Sequence, residues 1–380
     1  MKTRQHHFNN NTWEDQIADL NSEKCQLVLV FGAAEYIIKQ EIFQYLRKNY
    51  PAADIVLSST AGEIINDRVC DNSVVATAIE LEKTEIKSVK TNINDHKNSF
   101  ETGNYLKKQL DRDDLSGIFI ISDGTVINGS ELVEGLSHNN HRNIAITGGM
   151  AGDGPRFEKT FTGLNEIPSQ GNVIAVGFYG NDILIGHGSV GGWDEFGRER
   201  VITRSVRNVL NELDEKNALD LYKQYLGDYA NELPGSALLF PLSIRVNGSE
   251  KNLIRTILAV DDKEKTMTFA GNVPEGSVAR LMKANFGKLI EASSIAATNS
   301  LKGIKNQEPE LAILMSCIGR KLLLHERAYE EVEIAKQALG NGTTIAGFYS
   351  YGEISPFDMG TPCELHNQTM TITTFAETKV

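Results

Sequence analysis

The chain has 380 residues, of which 41% are hydrophobic and 23% are charged, and this is the composition of an ordinary globular protein. Its length exceeds that of a typical single core, so two domains are expected. Fifty acidic residues against 38 basic ones leave a net charge of −12, which argues against nucleic acid or an anionic membrane surface as partner.

The cysteine spacing and the apolar runs indicate in which cellular compartment the protein is expected. Cys25, Cys70, Cys317 and Cys363 are too scattered to predict a disulfide framework. The first residues lack the apolar stretch of a signal peptide, and no run approaches the roughly 20 apolar residues of a membrane-spanning helix. We therefore expect a cytoplasmic protein without membrane insertion.

In chain order, the first predicted unit is strand, helix, strand over residues 26–64. Residues 26–31 are a run of apolar residues closed by Gly32, which indicates a strand buried on both faces. Apolar residues then recur at helical spacing until Pro51, and a strand at 55–57 ends in the polar turn Ser58-Ser-Thr-Ala-Gly-Glu63. This order is typical of a βαβ unit.

The same pattern predicts two further units, over residues 117–154 and 311–352. The second contains the turn Ser122-Asp-Gly-Thr125 and ends in Thr147-Gly-Gly-Met-Ala-Gly-Asp-Gly154. The third contains Ser316-Cys-Ile-Gly319 and ends in Gly347-Phe-Tyr-Ser-Tyr-Gly-Glu-Ile-Ser-Pro356. Ligands of parallel sheets bind beyond the carboxyl ends of the strands, so these glycine turns are expected to line one shared pocket.

The remaining elements complete an α/β protein of two domains with mixed sheets built on βαβ units and helices packed on the sheets. Strands are predicted at 172–179, 183–187, 253–260 and 266–270, and helices at 218–226 and 277–297. The predicted organisation is a polar N-terminal segment over 1–24, one domain over 25–220 and a second over 221–376. Residues near 220 form the boundary because a helix there is followed by Glu232-Leu-Pro-Gly-Ser236.

The motifs Ser58–Glu63, Thr147–Gly154, His187-Gly-Ser-Val-Gly-Gly-Trp193, Gly347–Pro356 and His366-Asn-Gln-Thr369 resemble the FIST family over about residues 25–375. That resemblance implies an N-terminal and a C-terminal FIST domain and a role in small-ligand sensing coupled to signal transduction. Some stand-alone members bind haem, sense nitric oxide and act on a histidine kinase. The resemblance thus implies haem b as a possible cofactor and a histidine kinase or another signalling protein as partner, with homo-oligomers left open.

The candidate site follows from these motifs. The predicted ligand-binding residues are Ser59, Thr60, Glu63, Gly148, Gly149, Gly152, Asp153, Trp193, Tyr349, Tyr351, Glu353 and Asn367. Of the two tyrosines around Ser350, one should face the core and the other the site. The glycines can equally serve tight turns, and the glutamates can equally satisfy backbone N–H groups.

For haem, the predicted axial ligand is His366, with His187 as the second choice. Non-covalent haem needs one axial side chain and a large apolar pocket, and the chain lacks the C-x-x-C-H motif of covalent attachment. A histidine in a protein is nevertheless often a hydrogen-bonded structural residue. The other histidines of polar segments, His6, His7, His96, His138 and His141, are expected to be exposed.

Two alternatives to a haem sensor stay open. One is an amino-acid-type ligand sensor without haem. The other is a small-metabolite enzyme using Glu63, Asp123, Glu353 and His366, although the Gly-x-Ser-x-Gly motif and a metal-ligand pair are both missing from the sequence. We expect no catalytic residues.

Overall fold

The structure is a computed structural model, and it describes residues 1–15, 19–138, 140, 142, 144–246, 251–305 and 307–378. His141 lies outside the described residues. The helices of the described residues are α1 (Ala34–Ile37), α2 (Gln40–Asn49), α3 (Ser99–Leu110), α4 (Gly129–Ser137), α5 (Ala218–Leu226), α6 (Phe286–Gly303), α7 (Ile318–Leu324) and α8 (Ala328–Leu339).

The strands fall into an amino-terminal set, a middle set and a carboxyl-terminal set. The first set is β1 (Lys2–Asn9), β2 (Thr12–Asp15), β3 (Leu27–Gly32), β4 (Asp54–Ser59), β5 (Glu63–Ile65), β6 (Arg68–Cys70), β7 (Val74–Glu80), β8 (Glu85–Asn92), β9 (Leu115–Ser122), β10 (Ala145–Met150), β11 (Thr162–Leu164), β12 (Asn172–Tyr179) and β13 (Ile183–Val190). The middle set is β14 (Asp194–Val206), β15 (Val209–Leu213), β16 (Lys216–Asn217), β17 (Leu242–Arg245), β18 (Leu253–Arg255), β19 (Ile257–Asp261), β20 (Thr266–Phe269) and β21 (Val278–Lys283). The last set is β22 (Leu311–Cys317), β23 (Thr344–Ser350), β24 (Gly352–Pro356), β25 (Cys363–His366) and β26 (Met370–Glu377).

The expected α/β class with mixed sheets is confirmed, and the three predicted βαβ units are present. β3 pairs in parallel with β4, β9 with β10, and β22 with β23, with helices between the two strands of each pair. In each unit a later strand returns antiparallel to the first strand, as β7, β12 and β26 do. The three units therefore share one topology.

Each unit also gives a strand to the sheet of another unit. β5 of the first unit pairs with β23 of the third, β24 of the third pairs with β10 of the second, and β11 of the second pairs with β4 of the first. The exchange is cyclic, so the outer edge of every parallel pair is covered by a strand from elsewhere in the chain. No unit completes its sheet alone.

The inner faces of the three sheets share one hydrophobic core. Along β3, Leu27, Leu29 and Phe31 point into this core, whereas Val28 and Val30 pack against the α1–α2 side. This alternation follows from the two-residue period of a strand. Phe31 meets Phe348 of the third unit with ring centroids 4.8 Å apart, so the sheets contact each other through aromatic side chains.

Residues 194–285 form a separate layer, which we call the cap. Its sheet has the order β18-β17-β21-β14-β15-β20-β19, with β16 beside β15. α5 packs on this sheet through buried residues such as Leu219 and Tyr222. The cap is inserted between β13 and α6 of the third unit. Its strands β14, β15 and β16 precede the predicted boundary near residue 220, which lies inside α5.

Two local predictions are wrong. The predicted helix 277–297 begins only at Phe286, after the N-cap Asn285, because residues 278–283 instead form the cap strand β21 between β17 and β14. His6 and His7 were expected to be exposed but are buried, since β1 pairs with β7. His6 contacts Asp15 Oδ1 and the Tyr50 hydroxyl, each at 2.6 Å.

The strand exchange leads to a prediction about fragments. Residues 1–220 alone lack β23 and β24, so β5 and β10 each lose one of their two partner strands and the shared inner core becomes exposed. We expect this fragment not to unfold cooperatively in urea, whereas the full chain does. Circular dichroism and NMR dispersion measure this, and a sharp transition with native-like dispersion for the fragment alone would contradict the shared-core arrangement.

Candidate functional site

The three glycine turns meet at one end of the sheets, as the sequence predicted. The prediction that all three line one shared pocket is wrong for the described cavities, because no residue of 58–63 lines any of them. We call them turn 1 (residues 58–63), turn 2 (147–154) and turn 3 (347–356). Backbone hydrogen bonds join them directly: Gly152 N to Ser59 O (3.0 Å), Gly154 N to Thr60 O (3.1 Å), Ala61 N to Tyr349 O (2.8 Å) and Tyr351 N to Met150 O (3.2 Å). The turns form one rigid end of the core.

Turns 1 and 3 each hold a fully buried carboxylate in the same way. Glu63 accepts hydrogen bonds from the Thr60 hydroxyl at 2.5 Å and from the Ser73 hydroxyl at 2.6 Å. Glu353 accepts from the Ser350 hydroxyl at 2.7 Å and the Thr369 hydroxyl at 2.9 Å. In both cases a hydroxyl three residues before the glutamate and one at the start of the returning strand satisfy the carboxylate. Both groups are thus committed to holding the turns.

Burial dominates the ionisation of these two carboxyls. It raises the pKa of Glu63 to about 7 and that of Glu353 to about 8, although their hydroxyl donors act in the opposite direction. Such values are those of general acids and bases at neutral pH. Neither glutamate, however, lines any of the cavities described below.

In turn 2, Asp153 takes the equivalent position, and glycines allow the close contacts. Asp153 accepts from Arg156 Nε at 2.9 Å and from Lys159 N at 3.3 Å. A Cβ on Gly148, whose φ is 144°, would lie 1.9 Å from Ile120 O, and one on Gly152 would lie 2.7 Å from Ala61 N. These two glycines are required by backbone approach.

Two other predicted residues have local partners. Gly149 lies on the inner face, where an added Cβ would stand 3.2 Å from Met315 Sδ. The Ser59 hydroxyl accepts from Phe161 N at 2.8 Å and so ties turn 1 to the segment that leads into β11. Both positions therefore serve the joining of the units.

The two tyrosines of turn 3 point to different environments. Tyr349 is fully buried, and its hydroxyl donates to Glu331 Oε1 at 2.9 Å. Tyr351 stacks on Phe157 with centroids 4.4 Å apart, and its hydroxyl donates to Gly154 O at 2.9 Å. Tyr351 is the one that lines a cavity.

That cavity, which we call the turn-end cavity, lies between the cap and a core wall made by the segment after turn 2, the start of α7 and Tyr351 of turn 3. Its volume is about 560 Å³, within the usual range for a small-molecule site. The core wall is Pro155, Arg156, Phe157, Cys317, Ile318, Gly319 and Tyr351, and the cap wall is Pro234, Gly235, Leu238, Thr256, Ile257, Leu258 and Ala270. A neighbouring cavity of about 270 Å³ shares Phe157, Leu258, Ala270 and Tyr351 with it.

Three buried residues, one of them on the wall of the turn-end cavity, have polar side-chain atoms without partners among the described residues. Thr256 Oγ1, on the cap wall, is buried and has no hydrogen-bond partner among the described residues. The same holds for both side-chain polar atoms of Asn367 and of Gln368, which are fully buried. The Gln368 amide occupies the space beside Gly319, where a Cβ would lie 2.5 Å from Nε2. Buried polar groups are normally paired, so such a group of orphaned atoms indicates bound water or ligand.

The segment that contains Gln368 is held in place by its backbone. Gln368 has a φ of 59°, a left-handed conformation that is uncommon for this residue type. Trp193 Nε1 donates to Gln368 O at 2.9 Å, so Trp193 anchors this turn and does not line the described cavities.

The predicted haem ligands lie in a closed environment. His366 and His187 are buried, and burial lowers the pKa of His366 to about 4 and lowers that of His187. His366 Nε2 lies 2.9 Å from Ser355 O, and its ring packs edge-on against Phe357. Neither imidazole lines a described cavity.

The sequence prediction missed several residues of the cavity. Phe157 follows turn 2 directly, and Cys317 and Gly319 belong to a turn that the sequence marked as a strand end. No sequence motif marks Thr256 as a site residue, because it lies opposite turn 3 only through the position of the cap in the folded protein. Gln368 lies in the His366–Thr369 motif, but only His366 and Asn367 of that motif were predicted as site residues.

Within the described residues, no cluster of three or more His, Cys, Asp or Glu is arranged to hold a metal ion. None of the helices described is both long and apolar enough to cross a bilayer. The geometry thus defines an α/β protein of three strand-exchanging units and a cap, with a small-molecule-sized cavity between them.

Comparison with known protein families assigns the chain to one family through two domain matches. Residues 26–216 match the FIST N domain and residues 218–356 match the FIST C domain. The chain belongs to the FIST family. FIST domains are associated with sensory signal transduction, which supports a sensor role for this protein. The search of curated proteins found no match.

The pKa of Glu353 leads to a prediction about stability. Between its unfolded value of 4.5 and about 8, the folded protein retains a proton that the unfolded chain has released. The contribution of this group to the free energy of unfolding is therefore full below about pH 4.5 and is lost as the pH rises toward about 8. Glu353→Gln removes the titration, so the variant should lose less stability than the native protein over this range.

Urea unfolding near both ends of the range measures the effect. The difference between Glu353→Gln and native protein should shift in favour of the variant by more than about 1 kcal/mol as the pH rises. Exposed Glu333→Gln is the matched control and should show a constant difference. If the difference in unfolding free energy between Glu353→Gln and the native protein also stayed constant with pH, the Glu353 carboxyl would have the same pKa in the folded and unfolded states, and the prediction would be wrong.

Proposed function

We propose that the protein is a sensor that binds a small organic ligand in the turn-end cavity and passes the signal to a partner protein. The observation that carries this proposal is the cavity itself, with unpartnered Thr256 Oγ1 on its cap wall and the unpartnered Gln368 amide behind Gly319. A ligand with an apolar or aromatic body and a polar edge matches these surroundings. Phe157 and Tyr351 offer the aromatic surface.

The cavity's position explains how binding can be transmitted. One wall belongs to the rigid turn end of the core and the other to the cap, so a ligand contacts both parts at once. A ligand shifts a conformational equilibrium by its difference in affinity for the two states. In this proposal the ligand-bound state, in which the cap is held against the core, is the signal. A partner protein would recognise that state at the outer face of the cap. On the FIST resemblance, the proposed partner is a histidine kinase or another signalling protein in the cytoplasm.

The enzyme alternative has less support. Glu63, Glu353 and Asp123 are each held by hydrogen bonds inside the turn end, and Asp123 accepts from Thr125 N at 2.7 Å and Gly171 N at 2.8 Å. None of the three lines the described cavities. Cys317 does line the turn-end cavity, but burial raises the pKa of its thiol, which disfavours the nucleophilic thiolate.

A cavity-filling variant tests the ligand site. Leu258 is partly exposed on the cap wall, so Leu258→Trp can occupy the cavity without disturbing a core. A metabolite library is first screened by thermal shift on the native full chain. We expect Leu258→Trp to lose the shift caused by a hit, by about tenfold or more in affinity, because the ring takes the ligand's space.

Val206→Trp is the matched control for this variant. Val206 is an exposed aliphatic cap residue that lines none of the described cavities, and its substitution should leave hit affinity unchanged. Equal binding by Leu258→Trp and native protein would place the ligand elsewhere. A library without any hit would leave the sensor proposal without its ligand and count against it.

Haem with nitric oxide, which the FIST resemblance implies for some members, is the second sensing mode to separate. Because His366 and His187 are closed off, we expect no Soret band after incubation of the full chain with haem. A Soret band that shifts with nitric oxide and disappears in His366→Ala, but not in His187→Ala, would overturn the organic-ligand proposal and assign His366 as axial ligand.

A further inference from the structure

A second cavity lies along the border between cap and core, apart from the turn-end cavity. We call it the Arg255 cavity. Its volume is about 590 Å³, and it is formed by α4 and β25 of the core and by β17, β18 and the loop after β20 of the cap. Arg255, Ser137, Glu364, Val133, Ile244 and Leu253 are the lining residues that matter below. It shares no lining residue with the turn-end cavity.

Arg255 is a buried cation that forms no ion pair with a carboxylate among the described residues, although the nearby carboxyl of Glu364 interacts with it electrostatically. The residue is 3% exposed, and its guanidinium donates to backbone carbonyls: Nε to Asn272 O at 3.1 Å, and Nη1 to Ile254 O at 3.3 Å and Leu365 O at 2.8 Å. Among the described residues, no Asp or Glu forms an ion pair with it, and no hydrogen bond of Nη2 is found. The carbonyls orient the group but do not neutralise its charge.

The contrast with the other buried arginines shows that this is unusual within the chain. Arg320 is fully buried and pairs with Glu331 at 2.8 Å, and Arg200 pairs with Asp214 at 2.8 Å. Both therefore carry their counter-ion with them. A buried charge that lacks one is costly unless a bound group supplies it.

The same cavity holds a second unsatisfied polar atom. Ser137 Oγ, at the end of α4, is buried and has no hydrogen-bond partner in the described part of the chain. The remaining wall is mixed. Val133 from α4 and Ile244 and Leu253 from the cap form an apolar patch, and polar or charged residues also line the cavity, namely Ser130, Glu134, His138, Asn272 and Glu364. A guanidinium without an ion pair, a hydroxyl without a partner and an apolar patch are together the complement of a carboxylate on a short hydrocarbon chain or ring.

We propose that the Arg255 cavity binds a small organic monocarboxylate, whose carboxylate contacts Arg255 and whose apolar part lies against Val133, Ile244 and Leu253. Because the ligand contacts both α4 of the core and β18 of the cap, it stabilises the cap on the core from a second position. The site acts independently of the turn-end cavity and stands whether or not that cavity holds a ligand.

Glu364 tunes this site. It is half-buried in the same cavity and forms no ion pair with Arg255, and burial raises the pKa of its carboxyl. Any negative charge that it carries disfavours an anionic ligand. Glu364→Gln should therefore tighten carboxylate binding several-fold, whereas a ligand held by a cationic group would bind more weakly to that variant.

The test uses the full chain and defined probes: butyrate and benzoate, with butyramide and benzamide as neutral isosteres, in isothermal titration at constant ionic strength. We expect the acids to bind and the amides not to bind. Arg255→Gln should lower acid affinity by about tenfold or more, and Arg255→Lys should lower it less, because it keeps the charge without the planar fork. Arg200→Gln, a buried cap arginine outside the cavity, is the matched control and should bind the acids as the native protein does.

Several outcomes would overturn the proposal: no binding of either acid by the native protein, equal binding of acids and amides, or unchanged affinity in Arg255→Gln. If Arg255→Gln fails to fold, as circular dichroism would show, Glu364→Gln decides the matter. Tighter acid binding by that variant supports the site, and unchanged or weaker binding overturns it. Displacement of the acids by a ligand of the turn-end cavity would also contradict two separate sites.

Discussion

The cyclic exchange of strands is the constraint on which the rest of this structure depends. The outer edge of each parallel pair is completed by a strand from another unit, so the chain must cross between sheets three times. These crossings are the glycine turns, because turn 1 leads directly into β5 and turn 3 into β24. The turns meet because the strands that follow them are exchanged. Glu63 and Glu353 sit at two crossings, where the tight approach excludes water and raises the pKa of both carboxyls.

The third unit carries an additional buried network that connects it to its neighbours. Arg320 donates to Glu331 and also to Leu289 O and Gly191 O, while Tyr349 donates to the same carboxylate. This joins α7, α8, α6 and the segment that leads into the cap. Removing one partner of such a pair typically costs about 3–5 kcal/mol, because an uncompensated charge is left buried. The network therefore fixes the core side of the cap's attachment.

The proposed sensing site lies where the cap meets that rigid end. The cap supplies its own hydrophobic core, so it can be a stable body, while its border with the units encloses cavities and unpaired polar atoms instead of a continuous apolar seam. Thr256, Gln368 and Arg255 are each costly for the empty protein. A molecule that supplies the missing hydrogen bonds or counter-charge removes this cost when it binds. It therefore binds more tightly, and it stabilises the cap against the core. This is the physical basis for reading the border as the sensing part.

The sequence by itself determined the α/β class, the three βαβ units and the glycine turns at their ends, because apolar periodicity and glycine content act over a few residues. It could not determine which strands pair, since Ile64 of β5 lies opposite Gly347 and nothing near either residue specifies the other. For the same reason residues 278–283 were read as helix, and His6 as exposed, until sheet pairing placed them. Of the predicted site residues, Tyr351 lines the turn-end cavity, whereas the opposing Thr256 and the buried Gln368 amide were recognised only in three dimensions. Whether a polar atom has a partner is decided by packing between distant segments, and only the tertiary structure contains that information.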